Sequence, residues 1–456
     1  MRFAVAGGGV AGLAAALAVA RRGHAAVVVE RDRVAAQDDP QGAFAVARHG
    51  IPHFLQPHAF LPRGRRELRE LAPDVLDALR DAGAEEQDVA GKLHGAREPG
   101  DEDLVYLWVR RPLIEWALRR AAAAEPGVEL RDGSTLSGLV VDREGRAVAL
   151  RVEGCDDIAA DVVVDALGRY RAPEEWPRAP GPMTDCGAIY YSRYFRLADD
   201  ASHPEGPWLL NPRGDLGYMG FNTFRGDNRT FAVILLVPAH DRELRVLRRA
   251  AAWMAAASAI RPLDVMTSPQ VAQPLTGVMP MGGLSNVLRT GDPGVRGLLA
   301  VGDALCHTNP SYAFGLAFAL IHAQALGRAA SAARDADAVV EAHRDDVTPE
   351  VRERFAFACD TDAARVRAWR GERLEVGRAD GCYPLFAFGP ALAAAPHDDL
   401  VLRRAIGRIG LLDRTATFDD DHDLHRRIER IFAELTATPP PSPGPPRAEL
   451  LARVSP

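Results

Sequence analysis

The chain has 456 residues, 47% apolar and 26% charged, and a formal net charge of −7. That length suits two closely packed lobes plus an extension rather than one small core, and an acidic balance without a basic stripe argues against a nucleic-acid partner. No apolar run reaches the length of a membrane-spanning helix. The five cysteines, Cys155, Cys186, Cys306, Cys359 and Cys382, are scattered without metal-ligand spacing. Neither a metal site nor a disulfide framework is expected, and a reducing, cytoplasmic setting is.

The first stretch, MRFAVAGGGVAGLAAALAVARRGHAAVVVERD, organises the rest. Residues 3–6 read as a short apolar strand, Gly7 to Gly12 fit G-x-G-x-x-G, an alanine-rich helix follows to about Arg22, and residues 25–29 form a second apolar strand ending at Glu30. This is a βαβ unit for a dinucleotide. Gly7 makes the tight turn, Gly9 lets the backbone approach a pyrophosphate, and Gly12 lets the helix pack against the strand. Val10 and Ala11 open a helix whose N-terminus presents roughly half a positive charge to the phosphates. Glu30 is placed to accept hydrogen bonds from ribose hydroxyls. Arg31 leaves a phosphorylated ribose conceivable, although an acid at Glu30 argues for a plain one. A secretory signal is a poor fit, because the apolar segment is broken by glycines and Arg21-Arg22-Gly23 is no cleavage site.

Residues 37–64 are polar and punctuated by Gly and Pro, so they either loop out or lie along the cofactor, where Arg48, His53, Gln56 and His58 are able to touch it or a substrate. A solvated loop is the plainer reading of each. Residues 65–83 read as one amphipathic core helix. Residues 104–109 form a strand ahead of Arg110-Arg111-Pro112, where Pro112 suits a first helical turn and the preceding arginine suits a pyrophosphate. Hairpins follow, and then residues 160–169 read as a fully buried central strand running through Asp165 to Gly168 and Arg169.

From Thr184 the texture changes to alternating aromatic and polar strands, with Ile189, Tyr191, Arg193 and Phe195 on one face and Tyr190, Ser192, Tyr194 and Arg196 on the other. Residues 216–224 and 230–237 flank the turn Gly226-Asp227-Asn228 as a hairpin, and residues 241–259 read as helical. An antiparallel sheet inserted here is where a substrate pocket would be built, from Tyr191, Arg193, Tyr218, Phe221, Asn222 and Phe224; core packing is the plainer reading of each. A third buried strand, residues 297–301, runs into Gly302-Asp303 and then Pro310, ahead of a long apolar helix to about Ala332. A carboxylate there can bind a ribityl hydroxyl, and the helix start near Ala313 or Phe314 can aim free N–H groups at a flavin pyrimidine. Beyond Arg334 the chain reads as helical to about Leu435, and residues 438–446, TPPPSPGPP, as a stiff tail without a core.

The three segments, in this order, resemble the FAD-dependent monooxygenases of aromatic-hydroxylase type, with their epoxidase, halogenase and geranylgeranyl-reductase relatives. The resemblance spans about residues 1–332. It implies an α/β fold: a Rossmann-type FAD-binding domain (1–175 and 286–335), an inserted antiparallel-sheet substrate domain (176–285), a helical C-terminal region (336–436) and a Pro-rich tail (437–456). It further implies extended FAD held by Gly7, Gly9, Val10, Ala11, Gly12, Glu30 and Arg31 at the ADP end, with Arg111 at the pyrophosphate and Arg48 in the loop that covers the flavin. Asp165, Gly302, Asp303, Pro310, Gly315 and Leu316 complete the cofactor set.

The implied reaction inserts one oxygen atom from O2 into a small or carrier-bound organic substrate through a flavin C4a-(hydro)peroxide, with His307 as the candidate proton donor. Reductase and halogenase chemistry are the alternatives. Electrons would come from NAD(P)H directly or from a separate flavin reductase. The chain departs from the hydroxylase pattern at Asp165-Ala166, where the hydroxylases carry Asp-Gly, and it lacks the halogenase signature W-x-W-x-I-P; Lys92, its sole lysine, is the one residue available for halogenase chemistry.

Overall fold

The computed structural model describes residues 1–34, 38–169, 172–203, 209–379, 384–438 and 441–455. Cys382 lies outside them, as do parts of the segments starting at residues 37 and 438. Among the described residues, the four remaining cysteines are free thiols, and no helix is long and apolar enough to cross a membrane.

Five parallel strands form the first sheet, in the order Leu298–Ala300, Val162–Asp165, Arg2–Ala6, Ala25–Glu30 and Val128–Asp132. Val162, Val163 and Val164 are wholly buried between two neighbours, as a continuous β-branched run demands when both faces of a sheet are covered. Phe3, Val5, Val28 and Val164 meet the helices Val10–Ala20 and Phe314–Ala332 on one face. Ala4, Ala6, Val27, Val29 and Val163 meet a three-stranded antiparallel layer, Leu136–Val141, Ala147–Val152 and Ile158–Ala159, on the other.

The second large sheet is antiparallel, ordered Arg213–Asp215, Gly220–Arg225, Thr230–Pro238, Ala188–Leu197 and Ala272–Pro274, with Met279–Met281 also pairing onto Ala188–Leu197. One face packs Tyr191, Phe195, Phe221, Phe231, Val233 and Leu235 against Trp253 of the helix Ala250–Ser258. The C-terminal helices, led by the 34-residue Ala336–Trp369, build a separate core with Phe314 and Phe318.

Four sequence expectations need correction. Residues 65–83 form two helices, Pro62–Leu71 and Pro73–Asp81, because Pro73 has no N–H to continue the first and forces Ala72 out of the helical region. Residues 241–259 are a 3-10 turn, Leu244–Arg248, and the helix Ala250–Ser258, separated by extended Arg249. Residues 216–224 are interrupted by a turn at Gly217, whose φ of +81° places it in the left-handed region. The tail is not free of a core: the helix Arg447–Val454 docks Leu450 and Val454 onto the Trp253 cluster. The proline stretch before it is held by hydrogen bonds from Tyr218 Oη to the Pro445 carbonyl (2.8 Å) and from the Arg261 N–H to the Pro443 carbonyl (2.8 Å).

Leu450 is 0% exposed, so Leu450→Ala is expected to cost about 2–5 kcal/mol, read as a fall in the urea unfolding midpoint. A loss below about 0.5 kcal/mol, the level of an ordinary surface substitution, would show that the helix is not docked in solution.

Candidate functional site

The parallel strands all end at one edge, and there a cavity of about 350 Å³ opens, running from the glycine turn to the inner face of the antiparallel sheet. Open parallel sheets place ligands outside the carboxyl ends of their strands.

At the near end the chain permits no side chains. Gly7 has φ +107°, and a Cβ there would lie 2.6 Å from the Ala166 carbonyl oxygen; a Cβ on Gly12 would lie 1.9 Å from the Gly7 oxygen. Gly9 faces the cavity, with only Ile51 Cδ1 nearby at 3.7 Å. The helix Val10–Ala20 starts without a side-chain cap, so its first N–H groups are free where Val10 and Ala11 line the cavity. Glu30 and Arg31 lie beside them. The Glu30 carboxylate accepts from the N–H groups of Gly8 (2.9 Å) and Asp32 (2.9 Å) and from Arg48 Nη2 (3.0 Å). Arg48 also meets Asp32 at 3.4 Å and Glu115 at 2.6 Å with its side chain 1% exposed, which pins residues 38–60 across the cavity as a strap.

Midway lies Arg111, the first residue of the helix Arg111–Ala124. Its Nη1 donates to His53 Nε2 (2.8 Å), its Nε is buried without a partner, and it pairs with no carboxylate among the described residues. Burial lowers its pKa, and the nearby carboxylates of Glu115 and Asp303 offset that only in part. Burial, and then Arg111, hold His53 well below the usual histidine range, so its ring is neutral.

Asp303 follows in the turn Gly302–Ala304. Burial alone would raise its carboxyl, but His307, which also hydrogen-bonds it, and the Arg111 guanidinium hold it well below the usual carboxylate range. His307 Nδ1 lies 3.1 Å from Asp303 Oδ2, and His307 Nε2 lies 2.6 Å from Arg169 Nη1. A guanidinium only donates, so Nε2 is the acceptor and the ring proton sits on Nδ1, bonded to Asp303. Pro310, Gly315 and Leu316 line the same wall, where the helix Phe314–Ala332 begins uncapped after Ala313 in the left-handed region (φ +57°). Non-glycine residues held there mark strained functional turns.

Sequence reasoning passed over His322. Gly302, at φ +58°, donates its N–H to His322 Nδ1 at 2.9 Å. The ring is fully buried and stacked on Phe318, and burial pushes its pKa down to about 3. It therefore acts as a neutral acceptor that holds the turn carrying Asp303. The available signal was a lone histidine inside the apolar run FGLAFALIHAQAL, because a buried polar ring needs a partner.

Other expectations are redirected. Asp165 does not line the cavity; its carboxylate accepts from Trp176 Nε1 (3.0 Å), Arg178 Nε (3.1 Å) and the Leu167 N–H (3.0 Å), so it braces the turn while Ala166 to Arg169 form the cavity wall. Of the five substrate candidates only Phe224 lines the cavity. Tyr191 and Phe221 face the Trp253 cluster, Tyr218 lies against the tail, and Arg193 donates to the Thr276 carbonyl (2.8 Å). Asn222, named with them, lies outside the lining too.

The opposite face turns inward and presents Tyr190, Ser192 and Ile234. Tyr190 Oη bonds Asn309 and Ser311 Oγ, and Asn309 in turn donates to Asp362 (2.7 Å) of the helix Ala336–Trp369, so the cavity wall is tied to the C-terminal helices.

Comparison with known proteins agrees with this architecture. Residues 2–116 match the family described as FAD dependent oxidoreductase. Over 222 residues the chain is 29% identical to Protein Rv3254 of Mycobacterium tuberculosis, a match covering 43% of this chain and 45% of that protein, so it spans under half of that relative's length. The flavin-dependent brominase Bmp2 superposes with a TM-score of 0.60 over 96% of this chain and 100% of its own, at 14% identity. PqsL, a probable FAD-dependent monooxygenase from Pseudomonas aeruginosa, gives 0.57 over 81% and 98%, at 15% identity.

Residues 2–116 thus match the FAD dependent oxidoreductase family, and the chain has the fold of PqsL and Bmp2. The residues present fit FAD: a glycine turn open to a diphosphate, an uncapped helix start and a desolvated arginine that forms no ion pair among the described residues.

Asp303→Ala and Arg111→Ala are each expected to weaken FAD binding roughly 10- to 100-fold, the worth of one charged hydrogen bond, measured by flavin fluorescence on titrating apo-protein. Normal affinity in Asp303→Ala would remove this residue from the site. Acid should also destabilise the fold. Burial lowers His322 to about 3 and His343 to about 4, so between pH 6.5 and 4 the unfolded chain binds more protons than the native one. Stability should then fall by about 1.4 kcal/mol per pH unit for each histidine, and His343→Gln should flatten the dependence of the urea midpoint on pH.

Proposed function

We propose that this protein is a monooxygenase that inserts one oxygen atom from O2 into a small organic substrate held between the antiparallel sheet and the Pro310 to Phe314 turn. The observation that carries this reading is the continuity of the cavity, which joins a nucleotide-binding edge to an apolar wall of Phe224, Ile234, Met281, Leu284 and Phe314. Bound FAD, once reduced, supplies the electrons that activate O2.

The chain's own residues bind, orient and exclude water. The N–H groups at Val10 and Ala11, together with Arg111, take the diphosphate, while Glu30 takes the ribose and Asp303 the ribityl chain. The uncapped start of the helix Phe314–Ala332 would offer its free N–H groups to the flavin, favouring negative charge there. The apolar wall keeps water from the reacting centre. His307, held between Arg169 at Nε2 and Asp303 at Nδ1, is the residue that moves the proton.

The electrons come from NAD(P)H bound directly or from a separate flavin reductase, since no second G-x-G-x-x-G supplies a nicotinamide domain. Halogen transfer through a lysine is disfavoured, because Lys92 sits exposed on the turn Val89–Lys92 and does not line the cavity.

Purified protein should show flavin absorption bands, and turnover under ¹⁸O2 should place label in the product. Turnover without label would assign the site to hydride transfer instead. His307→Ala should keep its FAD while kcat falls about 100-fold or more; unchanged kcat would leave His307 without a catalytic role.

A further inference from the structure

The fold leaves two polar atoms of the substrate half unused. On the sheet, Ser192 is 1% exposed and its Oγ has no hydrogen-bond partner. On the strap facing it, Gln56 is 7% exposed and donates from Nε2 to the Met279 carbonyl (3.3 Å), and its Oε1 is buried without a partner. The orientation of this amide follows from chemistry: a carbonyl oxygen can only accept, so Nε2 faces Met279 and Oε1 is left over. Met279 is also the residue paired with Ser192 across the ladder between Met279–Met281 and Ala188–Leu197. The two orphan atoms therefore flank one residue, from two different walls, and both side chains line the cavity.

Their surroundings restrict what can pair them. The other inward residues of this sheet, Tyr190, Phe224, Ile234 and Met281, are apolar or, for Tyr190, have a hydroxyl already engaged by Asn309 and Ser311. The sheet contributes no charged residue to the lining, since Arg193 is turned away to Thr276. A carboxylate at this spot would face the Gln56 oxygen with no cation from the sheet to offset its desolvation. A hydroxyl is the neutral group able both to accept from Ser192 Oγ–H and to donate to Gln56 Oε1.

We propose that Gln56 and Ser192 form a clasp that sets substrate specificity, selecting an uncharged apolar molecule that carries a hydroxyl group and rejecting its anionic counterparts. The inference rests on the reading of this cavity half as the substrate pocket. Each unpaired buried polar atom that a ligand satisfies is worth roughly tenfold in binding.

The test is equilibrium dialysis of 2-naphthol, naphthalene and 2-naphthoate against the FAD-loaded protein, repeated with apo-protein. 2-Naphthol is expected to bind at least tenfold tighter than either of the others. Ser192→Ala and Gln56→Met are each expected to cut that preference about tenfold while leaving FAD affinity near that of the parent, and Ser192→Ala also leaves the thermal midpoint near it. Absence of 2-naphthol binding, tighter binding of 2-naphthoate, or a preference that survives both substitutions would overturn the clasp. A preference intact in a protein that takes up no FAD would instead sink the flavin reading and leave the clasp standing. If Gln56→Met fails to fold, Ser192→Ala alone decides, because it removes one oxygen that makes no hydrogen bond in the structure.

Discussion

The close approach of the helix Val10–Ala20 to the first strand is the constraint on which the rest of the structure depends. It exists only because Gly12 has no Cβ to meet the Gly7 oxygen, and Gly7 none to meet the Ala166 oxygen. The second contact does more than tighten a turn. Ala166 follows the strand Val162–Asp165, so the glycine turn and the second motif are locked backbone to backbone, and Asp165 braces the lock through Trp176 and Arg178. A single methyl at either glycine would push apart two motifs that lie far apart in sequence but share one cavity edge.

Electrostatics divides the arginines of the cavity into two kinds. Arg48 is surrounded by Glu30, Asp32 and Glu115, and its charge is consumed in fastening the strap. Arg111 is as desolvated but forms no direct ion pair among the described residues: it hydrogen-bonds His53 and feels Glu115 and Asp303 only at longer range, so its donors remain open to an anion. A buried cation without a directly bonded carboxylate is costly in the free protein and favourable once a diphosphate bonds it. The same economy recurs at Asp303, whose ionised form is held by the histidines and arginine that line the cavity with it.

The antiparallel sheet acts as a partition. Its outer face is a hydrocarbon layer sealed by the Trp253 helix and by the C-terminal helix, and its inner face is a mixed wall that admits a ligand. The Tyr190, Asn309 and Asp362 series ties that inner wall to the long helix Ala336–Trp369, so the C-terminal region braces the pocket rather than trailing from it.

Local rules in the chain determined the βαβ start, the buried central strand, the turn at Gly302-Asp303 and the long apolar helix after it, because glycine spacing, β-branched runs and helix starts act over a few residues. They also determined that the strand around Tyr191 has two unlike faces. Which face looks inward was settled only by tertiary structure: period-two alternation fixes the partition of side chains but not its sign, and the sign depends on where the Trp253 helix and the tail helix pack. Tertiary structure alone likewise turned Asp165 from the cofactor to Arg178, set His322 behind Gly302, and brought Gln56 to the same residue as Ser192. Each of these pairings joins atoms that no local spacing relates.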